Sequence, residues 1–409
     1  MSDRAEVDAR LTAVLRDERG RLIGALVRLL DDWDVAEELV QDAAVAAIEH
    51  WGRDGIPDNP GAWLMTTARR RAVDRLRRRA RYRERMAILT AEASEMDHGT
   101  PTSGPMGADD RLRLLFTCCH PALGREAQVA LTLRTIGGLS TAAVARAFLV
   151  PEPTIAQRLV RAKRKIRDAR IPYRVPDAAE LPARLGEVLS VLYLIFNEGY
   201  LASSGADADR RDLARDAEWL ASLIARLMPD EPEVLGLLAL MRLHLARADA
   251  RFAADGTLVL LPDQDRSRWD RPAIGQAVEL LRRAERLGRP GPYQLQAAIL
   301  TTHALAPSWA ETPWPAVVTL YDALYRLQPT PVVALNRALA LAERDGPAPA
   351  LAAIEPLGGR LDGYHLFHAA RAELLKRLGD LEGAREANRR ALALTDNPAE
   401  RRLLEERLS

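Results

Sequence analysis

The chain has 409 residues with 48% hydrophobic and 28% charged side chains, a composition that excludes a disordered or collagen-like protein and predicts a soluble globular one. At roughly 100 to 200 residues per domain the length predicts two to four domains. The formal net charge is +1, so total charge favours no class of partner, but its distribution is uneven. Arg69 to Arg85 hold ten arginines against Asp74 and Glu84, and Arg158 to Arg170 hold seven Lys and Arg against Asp168 alone. No apolar run reaches the length of about 18 residues that a membrane span needs, and the N-terminus lacks the charged-then-apolar pattern of a signal peptide. A cytoplasmic protein with no membrane partner is expected. Ala, Leu, Arg and Glu at helical spacing predict a mainly α fold.

In chain order, the first informative element is Asp34 to Trp51, DVAEELVQDAAVAAIEHW. It reads as an amphipathic helix with an acidic edge of Glu37, Glu38 and Asp42 and an apolar edge of Leu39, Val40, Ala43, Ala47 and Ile48. A loop from Asp54 to Gly61 with Pro57 and Pro60 follows, and then Asn59 to Arg85, NPGAWLMTTARRRAVDRLRRRARYRER. Ala62, Leu64, Met65, Ala68, Ala72, Val73 and Leu76 are expected to form its apolar face, with arginines crowding the rest. Such a helix repels itself unless an anion neutralises it, and nucleic-acid phosphate is the obvious anion. A merely solvated face would mix both signs of charge.

The order of acidic helix, Trp, short loop, N-P-x-A-W-L and arginine-rich helix resembles region 2 of extracytoplasmic-function sigma factors. The resemblance implies that the first helix docks on the clamp of core RNA polymerase through Glu37, Glu38, Gln41, Asp42 and Val45. It implies that the second meets the −10 element of promoter DNA through Asn59, Trp63, Thr66, Thr67, Arg69, Arg70, Arg71, Asp74, Arg75, Arg77 and Arg78. The loop and the helix's first turns would form a pocket for a base taken out of the stack. Two prolines and no aromatic residue set this loop apart from many relatives, so its base preference does not carry over.

Glu95 to Asp109, EMDHGTPTSGPMGAD, combines Gly, Pro, Ser and Thr and reads as a linker. The apolar residues of Asp109 to Gly138 would complete a second domain and contact the polymerase flap. The two cysteines, Cys118 and Cys119, are adjacent, which fits a reducing compartment better than a disulfide framework. With His120 beside them they hint at a metal, but no second Cys/His cluster supplies the remaining ligands. Small buried thiols, no metal and no cofactor are expected.

Leu139 to Arg167 reads LSTAAVARAFLVPEPTIAQRLVRAKRKIR. Ser140 can cap a helix through Phe148, Leu149 to Pro151 make a turn, and Glu152 to Arg167 forms a basic helix with Ile155, Leu159, Ala162 and Ile166 inward. Two helices about a short turn describe a helix-turn-helix. The segment resembles sigma region 4, with Ala156 and Gln157 where a basic residue and a serine are usual. The resemblance implies binding of the −35 element through Thr154, Ala156, Gln157, Arg158, Val160, Arg161, Lys163 and Lys165. Gln157 and Arg161 are the expected base readers, Gln suiting adenine and Arg suiting guanine.

Ile171 to Pro176 ends the basic helix and opens a long Ala/Leu-rich region. Asp255-Gly256 before Thr257 to Leu261 predicts a small β-hairpin. Ala304, Ala338 and Ala372 are spaced by 34 residues, as are Ala316, Ala350 and Ala384, with Leu341/Leu375 and Leu320/Ile354 in register. Thirty-four is the period of tetratricopeptide helix pairs. Several phrases here, Leu189 to Leu201 and Tyr364 to His368 among them, resemble a sigma subfamily with a tetratricopeptide-like extension.

The expected division is 1–90 (region 2), 91–107 (linker), 108–172 (region 4), 173–290 (helical extension) and 291–409 (tetratricopeptide-like repeats). The extension is expected to bind a protein partner or its own sigma domains and to regulate polymerase engagement in cis, and no enzymatic activity is expected. Two rival readings stand beside this one. The first is a helix-turn-helix regulator that acts without core polymerase. The second is an enzyme in residues 180–409, which would need one pocket holding Asn197, Glu198, Asp263, Asp265 and His365.

Overall fold

The structure, a computed structural model, describes residues 4–89, 110–148, 150–201, 208–253 and 257–408. The linker expected over 91–107, Leu149 of the expected turn and the Asp255-Gly256 pair lie outside the described residues. The chain divides into two compact units, Met1–Leu194 and Ile195–Ser409. Both are helical, in agreement with the mainly α expectation.

The first unit opens with α1 (Arg4–Leu30), α2 (Trp33–Asp54) and α3 (Pro60–Leu89), which pack together in pairs. Asp31, with φ of 51°, reverses the chain after α1. Asp32 then caps α2, its carboxylate accepting from the Val35 N–H at 3.1 Å, which satisfies a donor the helix leaves open. Gly55 ends α2 at φ 88° and donates to the Trp51 carbonyl, a conformation that favours glycine. Asn59 caps α3 by accepting from the Ala62 N–H at 3.0 Å. Pro60 begins the helix, where its missing N–H is no loss.

The core of this bundle is Trp51, Leu22, Ile23, Leu26, Leu64, Ala68 and Ala72, all 1% exposed or less. Burying an aromatic of about 200 Å² contributes roughly 5 kcal/mol before entropy is counted. The apolar faces are narrower than the sequence suggested. On α3, Ala62 is exposed and Val73 is 37% exposed, and on α2 Ile48 is 39% exposed. Each lies about one residue beyond the stripe that faces its neighbours, and one residue is a rotation of about 100°.

Four further helices follow: α4 (Asp110–Cys118), α5 (Arg125–Thr135), α6 (Thr141–Ala147) and α7 (Glu152–Asp168). Ser140 caps α6 through Ala143 N–H at 3.0 Å. Ile155, Leu159, Ala162 and Ile166 of α7 are buried and pack toward α5 and α6. Arg170 at φ 47° ends the helix while the Ile171 N–H returns to the Ile166 carbonyl. Cys118 and Cys119 are 0% and 1% exposed, with Cys119 Sγ 3.5 Å from Thr132 Oγ1. Burial pushes the Cys119 thiol up to about 12 and Cys118 well above the ordinary range. Helix α8 (Leu181–Leu201) contains the division between the units. Its first turns belong with the first unit, where Arg184 donates to the Phe116 carbonyl and Glu187 pairs with Arg125 at 2.9 Å.

The second unit contains α9 (Ala208–Leu227), α10 (Pro232–Leu245), α11 (Arg271–Arg286), α12 (Pro292–Leu305), α13 (Trp314–Leu327), α14 (Pro331–Asp345), α15 (Pro347–Ile354), α16 (Gly358–Leu361), α17 (His365–Arg377), α18 (Leu381–Ala393) and α19 (Pro398–Leu408). The hairpin expected at Arg251 to Leu261 is cut to one bridge between Phe252 and Leu258, the only isolated β pairing among the described residues. Leu261–Asp263 turns into a 3-10 helix, since Pro262 has no N–H to extend a ladder. The 34-residue period falls on equivalent helices: Ala304, Ala338 and Ala372 lie on α12, α14 and α17, each 1% exposed. Ala316, Ala350 and Ala384 lie on α13, α15 and α18; Ala350 and Ala384 are buried, but Ala316 is exposed and Val317 and Val318 take the inward place.

Two measurements check this packing. His303 is 7% exposed, and burial, with Arg247 and Arg266 nearby, holds its pKa down to about 4. Unfolded chains protonate histidine near pH 6.5. The stabilisation is therefore complete above that pH and is lost as pH falls toward 4, by about 3 kcal/mol for this side chain. The thermal midpoint of the full chain should fall between pH 7 and pH 4.5, less steeply in His303→Gln; equal slopes would refute the assignment. For the thiols, a maleimide at pH 7.5 should leave both cysteines unmodified in the folded chain and modify both in denaturant.

Candidate nucleic-acid interface

On α3 the arginines divide by direction. Arg71 and Arg75 turn back toward α2, pairing with Asp42 at 3.2 Å and Glu38 at 2.8 Å. Arg69, Arg70, Arg77 and Arg78 are exposed, as is Asp74, whose backbone carbonyl accepts from Arg78 Nε at 3.3 Å. The inner pairs tether the helix, while the outer cations remain for an external anion.

At its first turns, Trp63 is half-buried and meets buried Trp51 edge-on, centroids 5.7 Å apart and 69° between planes. The His50 ring lies 5.7 Å from Trp63 on a tilted approach. Trp63 is thus held in place against Trp51 and His50 while remaining half-buried. Thr66 is exposed and its hydroxyl donates to the Ala62 carbonyl at 2.9 Å, while Thr67 is half-buried. Asn59 serves as the helix cap already described, so its carboxamide oxygen is engaged.

Helix α7 presents Thr154, Ala156, Gln157, Val160, Arg161 and Lys165 on its exposed side, with Val160 at 66% exposure. Several of these residues line a cleft of about 400 Å³ whose opposite wall is Ala122, Gly124 and Ala127 at the start of α5. Gly124 gives α5 no side-chain cap. The remaining basic residues of the expected contact set are already engaged. Arg158 pairs with Glu126 at 2.6 Å and lies over the Phe148 ring at 5.9 Å. Lys163, its side chain 14% exposed, sits between Asp34 at 2.9 Å and Glu37 at 2.8 Å.

The residues expected to dock polymerase lie on one helix but in two settings. Gln41 is exposed and Val45 is 57% exposed, beside Ile48 at 39%. Glu37, Glu38 and Asp42 are each taken by an internal cation. Arg19 on α1, which sequence reading passed over, approaches Glu37 at 3.9 Å. Nothing in the spacing of its own helix marked it.

In the second unit Asp263, Asp265 and His365 of the enzyme reading each have different surroundings. Asp265 caps Ser267, accepting from its N–H and hydroxyl at 2.9 and 2.6 Å. His365 meets Glu400 at 3.1 Å. Asp263 lines a separate groove of about 690 Å³ with His303, Trp309, Trp314, Tyr321 and Asn336. There Trp309 stacks on His303 at 5.6 Å and 7°, and meets Trp314 edge-on at 4.6 Å. Trp309 Nε1 donates to Glu343 at 3.3 Å, and Glu343 pairs with Arg377. These three residues were missed in sequence, although a signal existed: they too are spaced by 34.

The comparisons agree with this layout. The chain matches the family described as Sigma-70 region 2 over residues 14–82 and Sigma-70 region 4 over residues 113–166. Residues 184–285 match a family of unknown function. An uncharacterized protein of Rhizobium meliloti is 45% identical over 98% of this chain and 94% of its own length. The ECF RNA polymerase sigma factor SigL of Mycobacterium tuberculosis is 30% identical over 41% of this chain and 93% of its own length. The probable ECF RNA polymerase sigma factor SigI of the same organism is 26% identical over 41% of this chain and 58% of its own. No solved structure matches the chain. With both sigma-70 regions in order, and with a sigma factor matched over nearly its whole length, the chain belongs to the extracytoplasmic-function class of sigma-70 RNA polymerase sigma factors.

Proposed function

We propose that this chain binds core RNA polymerase, directs it to promoters by reading −35 and −10 elements, and initiates transcription in the cytoplasm without a catalytic step of its own. Residues 1–90 act as region 2 and residues 108–172 as region 4, with 91–107 joining them. The observation that carries the reading is the split among the α3 arginines. Arg71 and Arg75 are spent on α2, whereas Arg69, Arg70, Arg77 and Arg78 are exposed along a helix that begins with half-buried Trp63. Such a surface tracks a displaced strand by charge and holds a base by stacking. On α7, Gln157 and Arg161 read base edges in the major groove while Lys165 neutralises phosphate. Gln41 and Val45 form the open part of the clamp-docking face, and the domain of Asp109 to Gly138 meets the flap.

For the second unit we propose tetratricopeptide-like helix pairs from 291 to 409, following a helical extension over 173–290. Its aromatic groove takes a protein segment, from a partner or from the sigma regions, and so regulates activity. No helix among the described residues is long and apolar enough to cross a membrane.

Pull-down of core polymerase by the full chain, followed by run-off transcription, tests the proposal. Val45→Glu should reduce association with core. Arg161→Ala should cost about 1 to 3 kcal/mol at one promoter position, and Lys165→Ala should lower the salt slope of DNA binding by about 0.9. Tight duplex binding without any association with core would instead make the chain a helix-turn-helix regulator. For the groove, Asn336→Arg should change run-off yield with purified components if the occupant is the chain itself, and only in cells if it is a separate protein.

A further inference from the structure

The segment between α10 and α11 is closed at its ends, where the Asp270 N–H donates to the Ala246 carbonyl at 2.9 Å. Its 3-10 turns Ala248–Ala250 and Arg266–Arg268 pack together. Arg247 and Arg266 are thereby brought to the same indole, their guanidinium carbons 5.8 and 4.8 Å from the centroid of the Trp269 ring. All three are enclosed, Arg247 at 7% exposure, Arg266 at 9% and Trp269 at 3%.

Only part of their donor capacity is used. Arg266 Nη1 donates to the carbonyls of His303 and Ala306 at 2.6 and 2.7 Å, and Arg271 to that of Ala304 at 3.3 Å. Both therefore close the end of α12, where a helix leaves carbonyls open. Arg266 Nη2 is nonetheless buried without a partner, as are Arg247 Nε and Trp269 Nε1. The Arg247 side chain makes no hydrogen bond or ion pair with any described residue. The acids around it are engaged elsewhere. Asp265 accepts from Ser267 and Asp270 from the Ala273 N–H, and both are exposed. Glu311 and Glu400, whose fields reach Arg266 and Arg251, are bonded to Ser308 and to Thr395 and His365. Burial, with Arg247 and Arg251 nearby, also holds His244 well below its ordinary pKa.

A guanidinium does not shed its proton to escape burial, as an ammonium or an imidazolium can. Taken out of water, such a charge is stable only beside a counter-charge. A buried water could accept the open N–H bonds but would leave the cations uncompensated. We propose that Arg247, with Arg266 and Trp269, forms a binding site for a small oxyanion, a phosphate or a carboxylate, that completes the second unit. Either ion presents several acceptor oxygens to the planar guanidinium forks, and the indole N–H adds a neutral donor. Burial of more than nine tenths restricts the occupant to a small ion. The site adjoins the aromatic groove, because Arg266 holds the carbonyl of His303, whose ring stacks on Trp309. It lies wholly in the second unit, so its test is independent of polymerase and promoter.

The test titrates the full chain, in a buffer free of phosphate, sulfate and carboxylates, with inorganic phosphate or with acetate at constant ionic strength. Concentrations stay in the low millimolar range, below those at which such salts stabilise proteins in general. The thermal midpoint should rise, and calorimetry should show one site. Above the Kd, each tenfold increase in the ion should multiply the folded-to-unfolded ratio about tenfold. A response to either ion supports the site and identifies its occupant. Arg247→Met, of similar length and uncharged, should abolish the titration. With no oxyanion present it should leave the midpoint unchanged or raise it, since it removes an uncompensated buried charge. Arg247→Lys keeps the charge without the fork and should bind the same ion with a higher Kd. No response of the parent chain to phosphate or acetate would overturn the proposal, and so would an equal response in Arg247→Met. A midpoint lowered by Arg247→Met in the oxyanion-free buffer would make the arginine structural and overturn it as well.

Discussion

The direction in which the arginine-rich helix α3 faces is set by acids that a second helix supplies at matching height. Glu38 and Asp42 stand one helical turn apart on α2 and meet Arg75 and Arg71, also one turn apart, on α3. These ion pairs are exposed, and each alone contributes at most about 1 kcal/mol. Their larger effect is on direction, because they fix which way α3 faces. The apolar stripe of Leu64, Ala68 and Ala72 enters the bundle, the inner arginines face acids, and the outer arginines are left exposed with Asp74 among them, Trp63 standing at the helix start. The position of Trp63 against Trp51 belongs to that orientation, while the Asn59 cap is a local bond that starts the helix.

Much of this was legible in the sequence because it is periodic or local. The α7 stripe of Ile155, Leu159, Ala162 and Ile166 is buried as its spacing implied, and the Ser140 cap is formed. The 34-residue spacing lands on α12, α14 and α17 and on α13, α15 and α18 of the second unit. The order of motifs was enough to suggest the sigma family. Where the reading went too far, it did so at the margins of faces. Val73 and Ile48 are apolar and one residue outside the stripe, and a sequence does not reveal where a neighbouring helix ends its cover.

The parts that were not legible are those made through space by polar residues. Lys163 was assigned to phosphate because its helix is basic, and Asp34 was one residue of an acidic helix. Neither periodicity nor capping rules connect two solvent faces 129 residues apart. Arg19 is unremarkable in its own segment and acquires meaning only beside Glu37. The hairpin expected at Arg251 to Leu261 is present only as the antiparallel pairing of Phe252 with Leu258, flanked by the Ala253 N–H to Thr257 carbonyl and Val259 N–H to Arg251 carbonyl bonds, and Pro262 lies just beyond it.

The contacts of Glu343 extend past the groove it lines. It accepts from Trp309, 34 residues before it, and pairs with Arg377, 34 residues after it, while Arg377 also donates to the Ala342 carbonyl at 3.1 Å. Three positions 34 residues apart, one in the segment after α12 and the others near the ends of α14 and α17, are thus tied into a single rung. A rung of this kind constrains how such a chain can change over generations. An insertion of a few residues within α14 ahead of Glu343 would turn it away from both partners at once, and loss of the pair that contains it would remove both ties. Length in this unit is therefore constrained wherever a change falls on the rung.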